Sequence, residues 1–251
     1  MHRFFIPPDH LHGARVRFDD AQAQQMRRVL RLRPGDRVLA LDGAGRQVEV
    51  ELTEVGATAA GRVISESPAG GEPTARLTLY QSLLQRDKFE WVLQKGTEVG
   101  VVAFVPVVTR RSLVRDAELG PERLARGRRI LQEAAEQSGR GALPALRPPL
   151  PFAAAAAEAA GYGRALLAWE GETRRTLAEA LAAPPNPPTV ALYVGPEGGF
   201  EPAEVALAAE QGALPVTFGP RILRTETAAL VGAALVLYQL GEMDAPRAAR
   251  P

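Results

Sequence analysis

Apolar and polar residues follow two different rhythms along this chain. Over the first 65 residues the apolar positions come in short alternating stretches. Residues 4–6, 15–18, 37–41, 48–55 and 61–65 read as strands, because every second side chain of a strand faces the same way. One helix interrupts them. Asp19 or Asp20 is placed to cap it, and it is expected to run to about Leu32. Arg33-Pro-Gly-Asp36 then makes a turn and Asp42-Gly43 opens a hairpin. Several short strands with a single helix predict a small β-barrel-like domain.

Ser67-Pro-Ala-Gly-Gly-Glu-Pro73 breaks the rhythm and marks a domain boundary. The first domain is placed at residues 1–70 and the second at 74–243, with a frayed tail at 244–251. Within the second domain apolar runs at 77–80, 101–108, 165–169, 190–194 and 216–218 alternate with helical patterns at 87–99, 121–138, 153–160, from about 173, after 202, and at 228–240. Strands alternating with helices predict an α/β fold built on a parallel sheet. The segment 144–151 reads as an extended connector and 184–188 as a rigid proline loop. The last helical pattern is apolar almost all round, which requires cover on every side, and a second subunit is the simplest cover.

Two of the strands end in glycine turns: Gly195-Pro-Glu-Gly-Gly-Phe200 and Gly219-Pro-Arg-Ile-Leu-Arg224. Bare main chain at a strand end offers N–H groups and lets a ligand approach closely. Two such turns on one sheet predict a ligand crevice. Glu197 would repel a phosphate, and neither the P-loop pattern nor Gly-x-Gly-x-x-Gly is present. A cationic ligand suits the carboxylate better than a dinucleotide does, which disfavours an ordinary nicotinamide oxidoreductase. A non-catalytic RNA-binding protein is the other alternative, and the intact glycine turns weigh against it.

Composition narrows the chemistry further. Cysteine is absent, which removes disulfides, thiolate metal sites and cysteine nucleophiles. No metal site is expected. No basic-then-apolar leader and no long apolar span are visible, so a cytoplasmic protein off the membrane is expected. The net charge is only +1, yet Lys88 and Lys95 are the sole lysines. An arginine-dominated basic set either serves forked phosphate contacts or reflects the codon bias of a GC-rich genome. Arg27, Arg28, Arg31 and Arg33 crowd one helix end, where they grip phosphates or solvate a face. Lys88, Trp91, Lys95 and Glu98 share a helix face, and so do Arg126, Arg129, Glu133, Gln137 and Arg140. Each face lines a site or forms a solvated stripe.

The two glycine turns, the second extended to Thr225-Glu-Thr-Ala228, resemble the paired C-terminal signatures of the SPOUT methyltransferases. Arg3-Phe-Phe5, Val29-Leu-Arg-Leu-Arg-Pro-Gly-Asp36, Gln94-Lys-Gly-Thr-Glu-Val-Gly-Val101 and Glu133-Ala-Ala-Glu-Gln-Ser-Gly-Arg140 are similar to motifs of its RsmE family, which methylates N3 of a uridine in 16S rRNA. The resemblance implies an N-terminal PUA-like barrel, a C-terminal SPOUT domain with a trefoil knot, and a homodimer formed through that domain. It implies S-adenosylmethionine as cofactor, bound by Gly195, Glu197, Gly198, Gly199, Gly219, Ile222, Leu223 and Arg224. Two positions depart from the family pattern. Gln25 replaces a frequent His, and Glu201 stands where a Ser or Thr cap is usual.

On this basis Arg224 is expected to stabilise the uracil ring as its imide proton leaves, with Arg221 as second choice and Glu226 orienting the arginine. Arg3, Arg27, Arg28, Lys88, Lys95, Arg110 and Arg140 are expected to contact 16S rRNA or the small ribosomal subunit.

Overall fold

The computed structural model describes residues 1–113, 120–182 and 188–244. The expected proline loop at 184–188 and the expected tail from 244 therefore lie almost wholly outside the described residues. The chain divides into two compact units. The first comprises Met1–Glu72 with Gln132–Leu143, the second Pro73–Leu131 with Pro144–Pro251.

In the first unit, β1 (His2–Phe5), β2 (Leu11–His12), β3 (Arg15–Phe18), β4 (Arg37–Leu41), β5 (Arg46–Val55) and β6 (Ala59–Pro68) form one sheet in the order β1-β4-β5-β6-β3-β2. Only β1–β4 is parallel; the other pairs are antiparallel. On β5 the buried residues Val48, Val50 and Leu52 fall on alternate positions and join Phe4, Val16, Phe18 and Val38 in the core. The β5–β6 ladder shifts register at Glu49/Val50 and at Leu52/Glu54. Such bulges bend a strand and tighten its twist. Gly61 on β6 makes the close approach possible, because a Cβ there would lie 2.4 Å from Val50 Cγ1 and 2.6 Å from the Glu51 carbonyl oxygen.

The helix of this unit is shorter than its pattern suggests. Asp19 Oδ1 accepts from the Gln22 N–H at 2.7 Å, and Gln22 Oε1 accepts from the Asp19 N–H at 3.2 Å. This reciprocal cap starts α1 (Asp20–Gln24). The chain then widens into a π-helical turn over Gln25–Val29, closed by the Leu30 N–H on the Gln25 carbonyl at 3.0 Å. Arg31 follows at φ +55°. A regular α-helix would turn Leu32 away from the face carrying Met26 and Leu30. Arg31 in the left-handed region turns the chain back, the Leu32 N–H donates to the Met26 carbonyl at 2.9 Å, and all three pack on the same core.

The second unit holds β7 (Arg76–Ser82), α2 (Arg86–Val99), β8 (Ala103–Val108), β9 (Ala145–Leu146), β10 (Leu150–Pro151), α4 (Phe152–Ala157), β11 (Arg164–Ala168), α5 (Leu177–Ala182), β12 (Thr189–Val194), α6 (Pro202–Glu210), β13 (Leu214–Val216) and α7 (Thr225–Gln239). The remaining helix, α3 (Pro121–Ser138), belongs to this unit through Leu131 and to the first from Gln132. All strand pairs are parallel, in the order β10-β8-β7-β12-β11-β13, with β9 also on β8. Strand alternation sorts the core into two layers. Leu77, Leu79, Val190 and Leu192 pack with α2, α5 and α7, whereas Tyr80, Ala191 and Tyr193 pack with α4 and α6.

Three differences from the sequence pattern have local causes. The helix expected from about Thr173 begins only at Leu177, because the Glu172 carboxylate accepts from the N–H groups of Arg174 and Arg175 at 2.7 and 3.1 Å and holds a turn there. The strand expected at 216–218 is β13, whose ladder with β11 ends at Ala168–Val216. The last helix starts at Thr225, three residues early, and Leu235 and Tyr238 on it are 40% and 67% exposed.

Candidate functional site

Strands β11, β12 and β13 end side by side, and one cleft opens at those ends. Ala168, Val194 and Val216 give it apolar walls. Gly195, Gly199 and Gly219 bring main chain to its surface, with Ile222 and Leu223 from the second turn. It holds about 560 Å3 of empty space with the open solvent at its mouth counted in. Gly199 adopts φ +68°, and a Cβ there would lie 2.3 Å from Glu170 Oε1. A side chain at that position would be strained and would press on the cleft's own carboxylate.

Each turn is held by its neighbours. Pro202 occupies the first turn of α6, and Glu204 Oε2 accepts from the Glu201 N–H at 2.9 Å. Glu204, 7% exposed, also accepts from the Arg110 N–H at 2.9 Å. Phe200 and Val205 are buried in one cluster beside it. Glu204 thus makes the reciprocal bond of a capping box, its carboxylate on the N–H of the cap residue Glu201. Arg111 donates to the Gly198 carbonyl at 2.9 Å.

Thr225 ties the two turns together. Its hydroxyl donates to the Gly195 carbonyl at 2.5 Å and accepts from Gln81 Nε2 at 3.1 Å, in a site only 6% exposed. Sequence reasoning passed over Thr225, Gln81 and the Trp169–Glu170 wall. The one available signal was position: Trp169 and Glu170 follow the end of a buried strand, where α/β ligand sites gather.

The structure separates the expected site residues into groups. Gly195, Gly199, Gly219, Arg221, Ile222 and Leu223 line the cleft. Arg224 is the exposed residue just before α7. Glu197 does not line the cleft; Lys88 Nζ donates to its Oε1 at 3.1 Å. Glu226 was expected to orient Arg224, but it faces Lys88 instead, with Oε2 3.9 Å from Nζ. The cause is packing: α7 lies against α2, so the first turn of one meets the first turn of the other. Lys88 therefore bridges two carboxylates, and Lys95 donates to Glu98 at 2.8 Å, one helical turn away.

Arg140 is the clearest correction. It is 3% exposed, and its Nε and Nη2 reach the Glu72 carboxylate at 3.1 and 2.6 Å. A buried, bidentate guanidinium is not offered to a phosphate. Arg27, Arg28 and Arg110 are exposed, and Arg3 is half-buried with Nη1 3.5 Å from Gln47 Oε1. Among the described residues no cluster of metal-ligating side chains occurs, and no helix is long and apolar enough to cross a membrane.

Burial pushes the hydroxyl pKa of Tyr80 and Tyr193 well above the usual tyrosine range. These rings stack at 4.4 Å under the sheet, where Tyr80 donates to Glu158. Burial keeps both neutral and structural.

Comparison with known proteins agrees with this geometry. Residues 71–237 match the family model of an RNA methyltransferase domain, and residues 18–60 match that of an RNA methyltransferase PUA domain. The fold and cleft are thus those of a two-domain RNA methyltransferase. Ribosomal RNA small subunit methyltransferase E of Synechocystis is 33% identical over 94% of this chain and 77% of its own length. The enzyme of that name from Neisseria gonorrhoeae, solved bound to S-adenosylmethionine, superposes with a TM-score of 0.82 at 32% identity, covering 95% of this chain and 97% of its own. A methyltransferase from Legionella pneumophila, solved with the same cofactor, gives a TM-score of 0.85 at 28% identity, with 94% and 96% covered. The chain belongs to the ribosomal RNA small subunit methyltransferase E family.

Proposed function

We propose that the chain transfers a methyl group from S-adenosylmethionine to N3 of one uridine in the 16S rRNA of the small ribosomal subunit. The observation that carries this reading is the meeting of three strand ends on one cleft surfaced by bare main chain at Gly195, Gly199 and Gly219. The cleft suits the donor: apolar walls for a flat base, glycine main chain that lets it approach closely, and the Glu170 carboxylate for its positive charge. Gly195, Gly198, Gly199, Gly219, Ile222, Leu223 and Arg224 form the donor pocket in this reading, and Glu197 stays outside it, paired with Lys88.

The donor supplies an electrophilic methyl carbon on a sulfonium. The protein supplies orientation and charge stabilisation, which dominate such a barrier. Arg224 stabilises the negative charge that gathers on the uracil ring as its imide proton passes to solvent water, and Arg221 at the cleft wall is the alternative. Attack through N3 needs no covalent adduct on the ring, so the absence of cysteine is no obstacle. Arg3, Arg27, Arg28 and Arg110 provide the RNA contacts.

The same reading includes a trefoil knot, a homodimer and a cytoplasmic site of action. Exposed Leu235 and Tyr238 on the apolar helix α7 support a second copy packed against it. The test is direct. Calorimetry should detect one donor site per chain, and mass spectrometry of 16S rRNA from a deletion strain should lose one N3-methyluridine. An unaltered modification pattern refutes the assignment.

A further inference from the structure

Three stretches singled out in the sequence are left over by the donor cleft: Arg3-Phe-Phe5, the helix turn at Gln25, and Glu133–Gln137. The first unit brings them round one cavity. Arg3, Gln25, Glu133, Glu136 and Gln137 line it above Phe4 and Leu30. It holds about 750 Å3 of empty space with its mouth included, more than the donor cleft.

Its wall is built rather than loose. Glu136 Oε1 accepts from the Phe5 N–H and from Gln132 Nε2, each at 3.0 Å. Gln22 Nε2 donates to the Phe5 carbonyl at 2.7 Å. The edge of β1 is therefore pinned to α3 on one side and to α1 on the other. Gln25 sits at the start of the π-helical turn, and such turns recur at functional sites. Arg27 and Arg28 leave the same turn into solvent.

The chemistry of the lining is selective. Arg3 is the one full positive charge in the lining and two carboxylates face it, so the cavity itself is not a phosphate clamp. Two amides and two carboxylates over an apolar floor suit a flat group that presents N–H donors. Unpaired RNA bases have this character, and proteins read them on their hydrogen-bonding edges. We propose that this cavity receives an unpaired base of the RNA substrate, read by Gln25, Glu133 and Gln137, while Arg27 and Arg28 hold the flanking phosphates. This specificity pocket rests on the assignment of an RNA substrate, and it makes Gln25, Glu133 and Gln137 substrate-selecting residues remote from the methyl donor.

The test uses the full chain, small ribosomal subunits from a strain lacking the enzyme, and the variants Q25A, E133A and Q137A. Loss of one base contact costs roughly tenfold in discrimination. Each variant should raise the KM for subunits about tenfold with donor affinity and melting temperature unchanged. The slope of log affinity against log salt should stay that of the wild type, whereas R27A and R28A should each lower it by about one. If any alanine variant melts early, Q137E keeps the shape, turns a donor into an acceptor, and should still raise the KM. Variants with KM values within twofold of wild type overturn the proposal. Competition by micromolar free nucleoside monophosphates also overturns it, because the cavity would then serve a small nucleotide. Failure of the wild type to bind donor or to methylate would instead sink the function proposed above, so the two outcomes are distinct.

Discussion

Replacing Thr225 by Val isolates the tie between the two glycine turns. Valine keeps the shape of the buried side chain and removes only the hydroxyl. The Gly195 carbonyl then loses its 2.5 Å donor, and Gln81 Nε2 loses an acceptor at 3.1 Å while keeping the Ser82 carbonyl at 3.1 Å. A buried polar group left without its partner costs ~1–3 kcal/mol, and a surviving second bond keeps the Gln81 share near the low end. The sum is about 2–3 kcal/mol of stability. For a chain of this size that corresponds to a melting temperature roughly 4–12 °C lower. Because Gly195 borders the cleft, donor affinity should fall about tenfold, equivalent to ~1.4 kcal/mol. Thermal unfolding and calorimetric titration of the donor read the two effects, and T225S should restore both. A T225V protein that melts within a degree of wild type and binds donor normally refutes the tie.

Three further outcomes are expected. R224A should lower kcat by about 100-fold or more, as loss of a charge-stabilising donor does, and weaken methyl-donor binding far less than that; unchanged turnover removes Arg224 from the mechanism. R140A leaves Glu72 without its buried partner and should destabilise the first unit by about 3 kcal/mol; a stable R140A that binds RNA weakly would restore Arg140 as an RNA contact. E136Q tests a pH effect. Burial pushes the Glu136 carboxyl above its usual range, against the Phe5 and Gln132 hydrogen bonds. A raised carboxyl pKa favours the fold at acid pH, and that contribution is lost as pH rises through the folded value. E136Q should therefore gain stability over wild type as pH rises above the ordinary carboxylate range, and match it below; a constant difference across pH would contradict the burial effect.

The elements that could be read from sequence are those governed by local rules. The alternation at Arg15–Phe18 and Arg37–Leu41 and the proline that starts Pro121–Ser138 are each visible within a few residues, and the structure keeps these bounds. The glycine turns were equally legible, since a strand followed by Gly, Pro and a helix pattern has few other uses. What was hidden depends on partners far along the chain. Arg140 shares a polar stripe with exposed neighbours, and Glu72, 68 residues away, holds it inward. Glu226 was assigned to Arg224 by proximity in sequence, but the packing of α7 on α2 gave it to Lys88. The π-helical turn at Gln25–Val29 was invisible because its residues have ordinary helix propensity. Met26 in it is buried in the core, with Leu30 and Leu32 packed beside it.

The position of β12 also constrains how the protein is made. This strand fills the centre of the parallel sheet, between β7 and β11, yet a ribosome delivers it after both flanks. Until it emerges, β7 and β11 have no shared neighbour, and their unpaired edges face an unfinished gap. Long-range parallel pairing of this kind is slow and exposes sticky edges. Both glycine turns lie beyond it, so a nascent chain cannot capture its small ligand before the sheet is complete. Ligand capture is therefore a late event in biosynthesis, and a chain stalled before Thr189 would be one for chaperones to shield.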